Sequence, residues 1–463
     1  MRFTPRPYQE RDLDRLRYAL RSGHDRICYA LPTGGGKTYT MGRMAIGAAQ
    51  KGKSTTFICH RLELVDQASR TLDAMGIPHG IIAPGHTMTR DKVQVASIQT
   101  LVRRMTRVRA PDLLVIDEAH HAPAGTWLKV IDAWSGAKVI GLTATPSRLD
   151  GRGLGDVFTE LVVGPSVAEL IADGYLAPYQ VYAPPIGITT EGVNTRGGDF
   201  AKDQLAKAVD KPTITGDAVR HYQRITPGRQ AIVFCVSVEH SKHVVAQFRA
   251  AGIRAEHLDG NEDKQRRRRI VEAYGRGEIK VLSACEIFVE GFDAPGAEVC
   301  VLLRPTQSLT IYLQAVGRVL RPQPGKTAVI LDHAGCALRH GLPDDDREWT
   351  LQGRKKGAKR QAEPTMPIKQ CPSCFACHAP APKCPACGHV YEAEGRQVEH
   401  QDGELQQVDP AELRRQRNRE QAKAETFEEL VELGKSRNYR NPAAWAKHIL
   451  QARRRRTGER RAA

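Results

Sequence analysis

The chain has 463 residues, of which 41% are hydrophobic and 26% are charged, an ordinary globular composition. Its length predicts about three domains, and its apolar content is enough for large cores, so a wholly disordered chain is excluded. The formal net charge of +17 attracts polyanions such as nucleic acid or anionic membrane. The amino terminus lacks the apolar core of a signal peptide, and no apolar run approaches the ~20 residues that span a bilayer. We therefore expect a soluble protein with no membrane partner.

Short β-rich runs alternate with helix-length segments in two parts of the chain. In the first part, the runs are Ile27–Leu31, Thr55–Cys59, Val93–Ser97, Leu113–Asp117 and Val139–Leu142. In the second part, they are Ala231–Cys235, Ala255–Leu258, Ile279–Ser283, Val299–Leu303 and Ala328–Leu331. Because this alternation is typical of a parallel sheet covered by helices, we predict an α/β fold with two tandem domains of similar size.

The composition also predicts where these domains begin and end. A glycine- and proline-containing segment with a short helix candidate near Phe200–Val209 separates them, and the regular pattern stops near residue 346. The predicted divisions are a first α/β domain over 1–182, a connecting segment over 183–215, a second α/β domain over 216–345, a linker over 346–370, a cysteine-rich module over 371–392 and a basic, helix-prone tail over 393–463.

A glycine-rich turn follows the first predicted strand and precedes a helix-like segment. It reads Leu-Pro-Thr-Gly-Gly-Gly-Lys-Thr over residues 31–38. Consecutive glycines let backbone N–H groups curl around phosphate oxygens. Lys37 can reach the outer phosphates and the Thr38 hydroxyl can bind Mg²⁺. The predicted phosphate-binding residues are Thr33, Gly34, Gly35, Gly36, Lys37 and Thr38, and the alternative is a flexible glycine turn with a chance lysine.

Two carboxylates stand at the end of the apolar run that begins at Leu113. Asp117 is placed at the tip of this strand to hold Mg²⁺, and Glu118 beside it can polarise an attacking water. A charged strand exit is the alternative when the two residues are taken alone. Their combination with the glycine-rich turn favours a nucleotide-hydrolysing site.

A third segment combines glutamine and arginine at helical spacing. Gln314, Gly317, Arg318 and Arg321 lie three or four residues apart, which predicts that they share one helix face. Two guanidinium groups there could cross a cleft between the domains and neutralise charge on a γ-phosphate, as arginine fingers do. A basic, solvated helix is the alternative.

Together these segments resemble a superfamily 2 helicase or translocase of the DEAH type, with two RecA-like P-loop domains over about residues 1–335. The resemblance implies that Arg6 and Gln9 read adenine and that residues around Arg61, Ser97 and Thr100 grip a nucleic-acid strand. Asp293 is expected to contact ribose or a cleft water, and the alternative is that it only caps its turn. The further matching segments, in chain order, are His60–Gln67, Ser97–Leu101, Thr143–Pro146, Val233–Ser237, Glu290–Pro295 and Gln314–Arg321.

Within this superfamily the chain resembles the RadD-like group of bacterial and prophage proteins. The supporting features are Arg6–Gln9, the Asp-Glu-Ala-His sequence, Gly197–Phe200, Glu290–Pro295 and cysteines behind the second domain. This resemblance implies ATP hydrolysis linked to DNA repair or recombination, single-stranded-DNA-binding protein as a partner, and a place in the cytoplasm with the nucleoid.

Five of the eleven cysteines lie between residues 371 and 387. Their spacing, two CPxC pairs separated by nine residues, offers four thiolates at tetrahedral reach, which favours a structural Zn²⁺. The predicted ligands are Cys371, Cys374, Cys384 and Cys387. Cys377, His378 and His389 are spare donors, and a redox role for one pair is the alternative. The other six cysteines read as ordinary thiols of a reducing compartment.

These features predict an ATP- and Mg²⁺-dependent motor that acts on single-stranded, forked or branched DNA. An RNA helicase, the motor of a restriction system and an ATP-regulated DNA-binding scaffold without unwinding activity are the alternatives. The arginine-rich carboxyl terminus can contact phosphates, although a solvated tail explains it equally well.

Overall fold

The computed structural model describes most of residues 4–353 and parts of the chain beyond. The described ranges are 4–148, 151–183, 195–196, 199–201, 204–205, 212–259, 262–285, 296–353, 369–371, 373, 376–379, 381–391, 419–421, 423–424, 426–436, 442–443, 446–447 and 449–450. The chain divides into two units, Met1–Tyr391 and Glu392–Ala463. Among the described residues, no helix is both long and apolar enough to cross a membrane.

The first α/β domain is built on a seven-stranded parallel sheet with the strand order β3-β4-β2-β5-β6-β1-β7. Its strands are β1 (Arg26–Ala30), β2 (Thr55–Cys59), β3 (Gly80–Ile82), β4 (Val93–Ser97), β5 (Leu113–Ile116), β6 (Lys138–Thr143) and β7 (Glu160–Val163). Its helices are α1 (Pro7–Arg21), α2 (Lys37–Gln50), α3 (Leu62–Ala74), α4 (Ile98–Arg104), α5 (Gly125–Ala133) and α6 (Val167–Ala172). Every residue of β2 and β4 is buried, as expected for strands covered on both faces.

The second α/β domain carries an eight-stranded sheet with the order β12-β13-β11-β14-β15-β8-β17-β16. Its first six strands in this order pair in parallel. The strands are β8 (Tyr179–Tyr182), β11 (Ala231–Phe234), β12 (Ala255–Leu258), β13 (Val281–Ala284), β14 (Val299–Leu302), β15 (Ala328–Asp332), β16 (Lys369–Gln370) and β17 (Ala376–His378). The helices are α7 (Pro212–Ile225), α8 (Val238–Ala250), α9 (Lys264–Gly275), α10 (Leu309–Gly317) and α11 (Cys336–His340).

The division of the chain between the two sheets differs from the sequence prediction at residue 182. β8 was assigned to the first domain, but it pairs in parallel with β15 and therefore belongs to the second sheet. The reason is that the hydrophobic pattern of Tyr179–Tyr182 is too short and irregular to show which sheet this strand joins. Its pairing partner β15 lies almost 150 residues away in the sequence. A hairpin of β9 (Thr195–Arg196) and β10 (Asp199–Phe200) precedes the helix candidate near Phe200–Val209, of which residues 204–205 are helical.

The cysteine-rich segment adds two strands to the second sheet. β17 pairs antiparallel with β8, and β16 pairs antiparallel with β17. The predicted module at 371–392 is therefore joined to the edge of the second domain through backbone hydrogen bonds. This contact depends on tertiary pairing that local sequence does not reveal.

Residues 342–353 connect the two domains, and we call this segment the strap. At one end the Tyr179 hydroxyl donates to the Asp344 carboxylate. At the other end the Gly155 amide donates to the Leu351 carbonyl over 2.8 Å, and Arg152 forms an antiparallel bridge with Gly353. Leu351 also packs against the apolar core of the first domain. The beginning of the predicted linker at 346–370 is thus docked on the protein rather than free.

The second unit is described by itself. Within its described residues, α12 (Phe427–Ser436) buries Leu430 and exposes Glu428 and Glu429 in its first turn. Acidic residues at a helix amino terminus complement the helix dipole. This helix agrees with the helix-prone character predicted for the tail.

Candidate active site

The glycine-rich turn lies between β1 and α2, at the carboxyl end of the first sheet. Gly34 and Gly36 have φ values of +86° and +88°, a left-handed conformation that favours glycine. A Cβ atom at Gly36 would also lie 2.5 Å from the Gln9 side-chain nitrogen. Because α2 begins at Lys37, the free N–H groups of its first turn and its helix dipole favour an anion at this turn.

The start of α1 is held against this turn. The Tyr8 hydroxyl donates to the Gly35 carbonyl at 2.5 Å, and the Gln9 side-chain amide lies 3.5 Å from the same oxygen. Gln9 Oε1 accepts a hydrogen bond from the Arg6 amide at 3.0 Å. The Arg6 guanidinium lies 4.8 Å from the centre of the Tyr175 ring. The structure therefore brings Arg6 and Gln9, at the start of α1, next to the predicted phosphate-binding residues between β1 and α2.

Lys37 is enclosed by the same turn and by two carboxylates. Its Nζ donates to the Leu31 carbonyl at 3.1 Å. Burial lowers the pKa of the Lys37 ammonium, while the charges of Glu118 and Asp117 act in the opposite direction. Burial, with the nearby Glu118 charge, raises the pKa of Asp117 to about 6. An anionic phosphate with a divalent cation would compensate both buried charges, so these residues fit ATP with Mg²⁺.

Glu118 has an unusual backbone. Its φ of +48° lies in the left-handed region, where, among the described residues, every other positive φ belongs to glycine. Such a conformation costs on the order of 1 kcal/mol for a side chain with a Cβ. Its Oε2 is 3.4 Å from His120 Nδ1 and accepts a hydrogen bond from Gln314 at 3.2 Å. Strain held in place by surrounding contacts is typical of functional sites.

Gln314 comes from α10 of the second domain, so this hydrogen bond joins the two α/β domains. Both partners are buried, with Gln314 1% and Glu118 8% exposed. Two further contacts also join the two α/β domains. The Thr145 hydroxyl lies 2.9 Å from the Thr310 hydroxyl, and a Cβ atom at Gly317 would meet Thr33 at 2.6 Å. The second domain therefore closes directly over the glycine-rich turn and the two carboxylates.

The predicted shared helix face of Gln314, Arg318 and Arg321 does not extend to Arg321, because the helix stops before that residue. α10 ends at Gly317, and Arg318 is its carboxyl-terminal cap. The amides of Arg318 and Val319 bond to carbonyls three residues earlier, which tightens and ends the helix. Arg318 is buried, and burial lowers the pKa of Arg321 to about 10. A buried cation of this kind favours an anionic neighbour.

One predicted nucleotide contact lies outside the described residues. Asp293 belongs to the segment 286–295, so its ribose or water contact stays a prediction.

The predicted strand-gripping residues differ in accessibility. Ser97 and Thr100 are buried, so direct contact between their side chains and a strand is not supported. Gln99 between them is exposed, and it is fixed by accepting from the Ser97 hydroxyl and donating to the His60 carbonyl. The alternation of apolar and polar residues along the first turn of α4 could have identified Gln99 as an exposed residue. Arg61 stands at the start of α3 and is partly exposed.

Three of the four predicted zinc ligands lie together. The sulfurs of Cys371, Cys384 and Cys387 are within 4.8 Å of one another, and those of Cys371 and Cys387 are 3.6 Å apart. Four sulfurs at about 2.3 Å around Zn²⁺ would be separated by about 3.8 Å, so the cluster fits this metal. Cys374 lies outside the described residues.

Two of the spare donors are engaged elsewhere. Cys377 packs in the core beside β8, and burial raises the pKa of its thiol to about 11, which disfavours the thiolate that a metal needs. Both ring nitrogens of His378 lie 2.6 Å from oxygen atoms, one of Ala379 and one of Tyr391. These contacts disfavour Cys377 and His378 as ligands.

Comparison with known proteins places the chain in a family. Residues 2–148 match the model for the res subunit of type III restriction enzymes, and residues 214–323 match the helicase conserved C-terminal domain. A 51.5 kDa protein of a Lactococcus phage is 34% identical over 368 residues, which are 78% of each chain. A candidate ATP-dependent helicase of Saccharomyces cerevisiae, IRC3, is 28% identical over 72% of this chain. The chain spans about half of that relative, 52% of its length.

A solved structure supports the fold. The ATP-dependent type ISP restriction-modification enzyme LlaBIII, bound to DNA, aligns with a TM-score of 0.54 at 16% identity. The alignment covers 71% of this chain and 28% of that one. The chain belongs to helicase superfamily 2, and it is an ATP hydrolase with two RecA-like α/β domains. The two RecA-like domains, the superfamily and the ATP-hydrolase class expected from the sequence are thereby confirmed, whereas the DEAH subtype, the RadD-like group and the zinc module stay predictions.

Proposed function

We propose that this superfamily 2 chain is an ATP- and Mg²⁺-dependent motor that moves on DNA. The observation that carries the proposal is the hydrogen bond of 3.2 Å from Gln314 to Glu118, which places a residue of the second domain on the candidate catalytic carboxylate of the first. A site divided in this way is complete only when the domains close. ATP binding and hydrolysis can therefore be coupled to domain movement.

The residues of the first domain bind the triphosphate and activate water. The amides of Gly34–Gly36 and the Lys37 ammonium hold the phosphates, and we assign the reading of adenine to Arg6 and Gln9. Thr38 and Asp117 would hold Mg²⁺, which would supply positive charge to the phosphates. Glu118 accepts the proton of the attacking water, and Gln314 orients the Glu118 carboxylate.

The residues of the second domain stabilise charge that develops during hydrolysis. Arg318 is buried beside the closed contact between Gly317 and Thr33. Arg321 follows in the irregular chain after α10, and burial lowers the pKa of its guanidinium. We assign to both guanidinium groups the role of arginine fingers, which act on the γ-phosphate.

DNA is favoured as the track by the net charge of +17 and by the solved relative that was captured bound to DNA. Exposed Gln99, partly exposed Arg61 and the basic helix α9 provide polar and cationic groups for a phosphate backbone. The test is ATPase activity of the full chain with single-stranded DNA, forked DNA, branched DNA and RNA. Stimulation by DNA supports the proposal, stimulation by RNA alone indicates an RNA helicase, and no stimulation by either indicates a scaffold.

A role in DNA repair or recombination, in the cytoplasm with the nucleoid, is part of this proposal. It is supported by the resemblance of Glu290–Pro295 and the cysteine cluster to the RadD-like group. In that role, single-stranded-DNA-binding protein would be a partner. Pull-down of purified single-stranded-DNA-binding protein with the full chain tests this interaction, and absence of binding at micromolar concentrations contradicts it.

We further propose that Cys371, Cys374, Cys384 and Cys387 hold one structural Zn²⁺. The supporting observation is the spacing of the three described sulfurs. Elemental analysis of protein purified under reducing conditions should give one zinc per chain. Cys384→Ser should lose the metal and keep basal ATPase, whereas the matched variant Cys377→Ala should retain it. A zinc content near zero in the unaltered protein contradicts the proposal.

A further inference from the structure

Lys326 is a buried lysine that the hydrolysis steps described above do not use. Its side chain belongs to a residue that is 7% exposed, in the turn between Arg321 and β15. The turn is tight, because Gly325 has a φ of +70° and the Lys326 amide donates to the Gln323 carbonyl at 3.1 Å. This turn directs the ammonium group back toward the preceding chain.

The Lys326 ammonium joins two separate segments. Its Nζ donates to the Arg321 carbonyl at 2.8 Å and to the Ala297 carbonyl at 2.8 Å. Arg321 lies beyond the end of α10, where helical hydrogen bonds no longer fix the backbone. Ala297 lies two residues after the end of the segment 286–295. One side chain thus bonds to the carbonyls of two separate segments of the second domain.

The backbone next to Arg321 is held by a further hydrogen bond from another element. The Leu320 carbonyl accepts from the Ala177 amide at 2.8 Å. With Lys326 on the next carbonyl, two consecutive carbonyls of this irregular segment are held by groups from different elements. Loss of the ammonium would remove the hydrogen bond that holds the Arg321 carbonyl from this side.

The charges around Lys326 come from three residues. Arg229 pairs with Glu298 at 2.8 Å, so the nearest carboxylate already has a cationic partner. Burial lowers the pKa of Lys326 to about 8, with Glu298 acting in the opposite direction and Arg321 and Arg229 acting with burial. A buried ammonium without a carboxylate of its own is costly, and here its hydrogen bonds to backbone carbonyls offset part of that cost.

We propose that Lys326 is a positioning residue that sets the Arg321 backbone, and through it the Arg321 guanidinium, against the nucleotide. This inference rests on the proposed role of Arg321 in hydrolysis. It assigns Lys326 no contact with ATP, so its removal affects turnover and leaves nucleotide affinity intact.

The test is a double-mutant cycle on the full chain with Lys326→Met and Arg321→Ala. Lys326→Met keeps the apolar stem and removes the donors, and we expect kcat of the basal and DNA-stimulated ATPase to fall about 10- to 100-fold with nucleotide Kd unchanged within about twofold. In the Arg321→Ala background, the same substitution should have no further effect. Lys326→Gln, which retains an amide donor, should recover part of kcat. Lys242→Met, an exposed lysine on α8, is the matched control and should behave as the unaltered chain.

The outcomes separate this inference from the proposed function. If Arg321→Ala keeps full turnover, the arginine-finger role fails. If Arg321→Ala loses turnover but the two defects multiply, Lys326 acts independently of Arg321 and the positioning role is overturned. A wild-type kcat for Lys326→Met overturns it too. Thermal melting accompanies each variant, and if Lys326→Met melts early, the cycle is repeated with Lys326→Gln.

Discussion

The two domains contribute to the ATP site by different structural means. The first domain presents its groups from turns directly at strand ends, where Lys37 follows β1 and Glu118 follows β5. The second domain presents Gln314 from a helix but Arg318 and Arg321 from the cap and irregular chain beyond it. The first set is therefore fixed by local backbone geometry, whereas the second depends on contacts between distant segments.

This difference explains how the site can respond to domain closure. A phosphate-binding turn must be complete before the nucleotide arrives, and local geometry provides that. Groups that act on the transition state are useful only after closure, and their placement through tertiary contacts such as Gln314 with Glu118 makes them sensitive to it. Substitutions on the two sides should consequently have different kinetic signatures.

The largest effect is expected on the second-domain side. Arg318→Ala should lower kcat about 10³-fold, because an arginine finger stabilises charge that is present only in the transition state. Nucleotide Kd should remain within about threefold of the unaltered value. Steady-state ATPase assays with equilibrium binding of a fluorescent nucleotide measure both quantities. Arg276→Ala is the control, since Arg276 is exposed and pairs with Glu278. Unchanged kcat in Arg318→Ala contradicts the proposed division of roles.

Glu118→Gln tests the carboxylate that the two domains share. Loss of the general base should lower kcat about 10²- to 10³-fold. ATP binding should persist, and because glutamine can still bond to Gln314, the closed complex should accumulate with ATP. Glu278→Gln, a change of the same chemistry at an exposed position, should leave the rate unaltered. Hydrolysis at the wild-type rate by Glu118→Gln would show that another group activates the water.

Sequence reasoning reached the first-domain side more fully than the second. The buried strands and the glycine-rich turn follow from residue patterns within about ten positions, so hydrophobic runs and glycines suffice to find them. The end of α10 at Gly317 could not be predicted, because helical spacing continues through Arg321 while the backbone bonds do not. The burial of Ser97 and the pairing of β8 with β15 depend on packing between distant segments. The roles assigned to individual site residues stay predictions until the variants are measured.

Gly153→Ala examines the strap, the contact outside the ATP site that joins the two domains. A Cβ atom at Gly153 would lie 1.9 Å from the Leu351 carbonyl oxygen and 2.5 Å from the Gly353 nitrogen, and both are backbone atoms that cannot move aside alone. We expect a loss of about 1–3 kcal/mol in the free energy of unfolding, or release of the strap. Thermal melting and the rate of trypsin cleavage after Arg347 measure these results.

The matched control for the strap is Gly136→Ala. A Cβ atom there has no other atom within 4 Å, so melting and cleavage should match the unaltered chain. If both alanine variants behave alike, the docking of Leu351–Gly353 does not stabilise the protein.

The smallest expected effect is a pH dependence confined to the first-domain side. Burial, with the Glu118 charge, raises the pKa of Asp117 from 3.8 to about 6. Near pH 6 the folded protein therefore binds a proton at Asp117, whereas an unfolded chain would keep this carboxylate charged. Asp117 thus favours the folded state at low pH, and this contribution to stability is lost as the pH rises from about 4 to 6.

Because Mg²⁺ requires the ionised carboxylate, apparent Mg²⁺ affinity should fall by up to about tenfold per pH unit below 6. Mg²⁺ titrations of nucleotide binding between pH 5 and 8 measure this dependence. Asp117→Asn should abolish it, whereas Asp112→Asn should retain it, since hydrogen bonds from Ser54 and Lys53 hold the pKa of Asp112 well below this range. The same profile in both variants would assign the titration to a group other than Asp117.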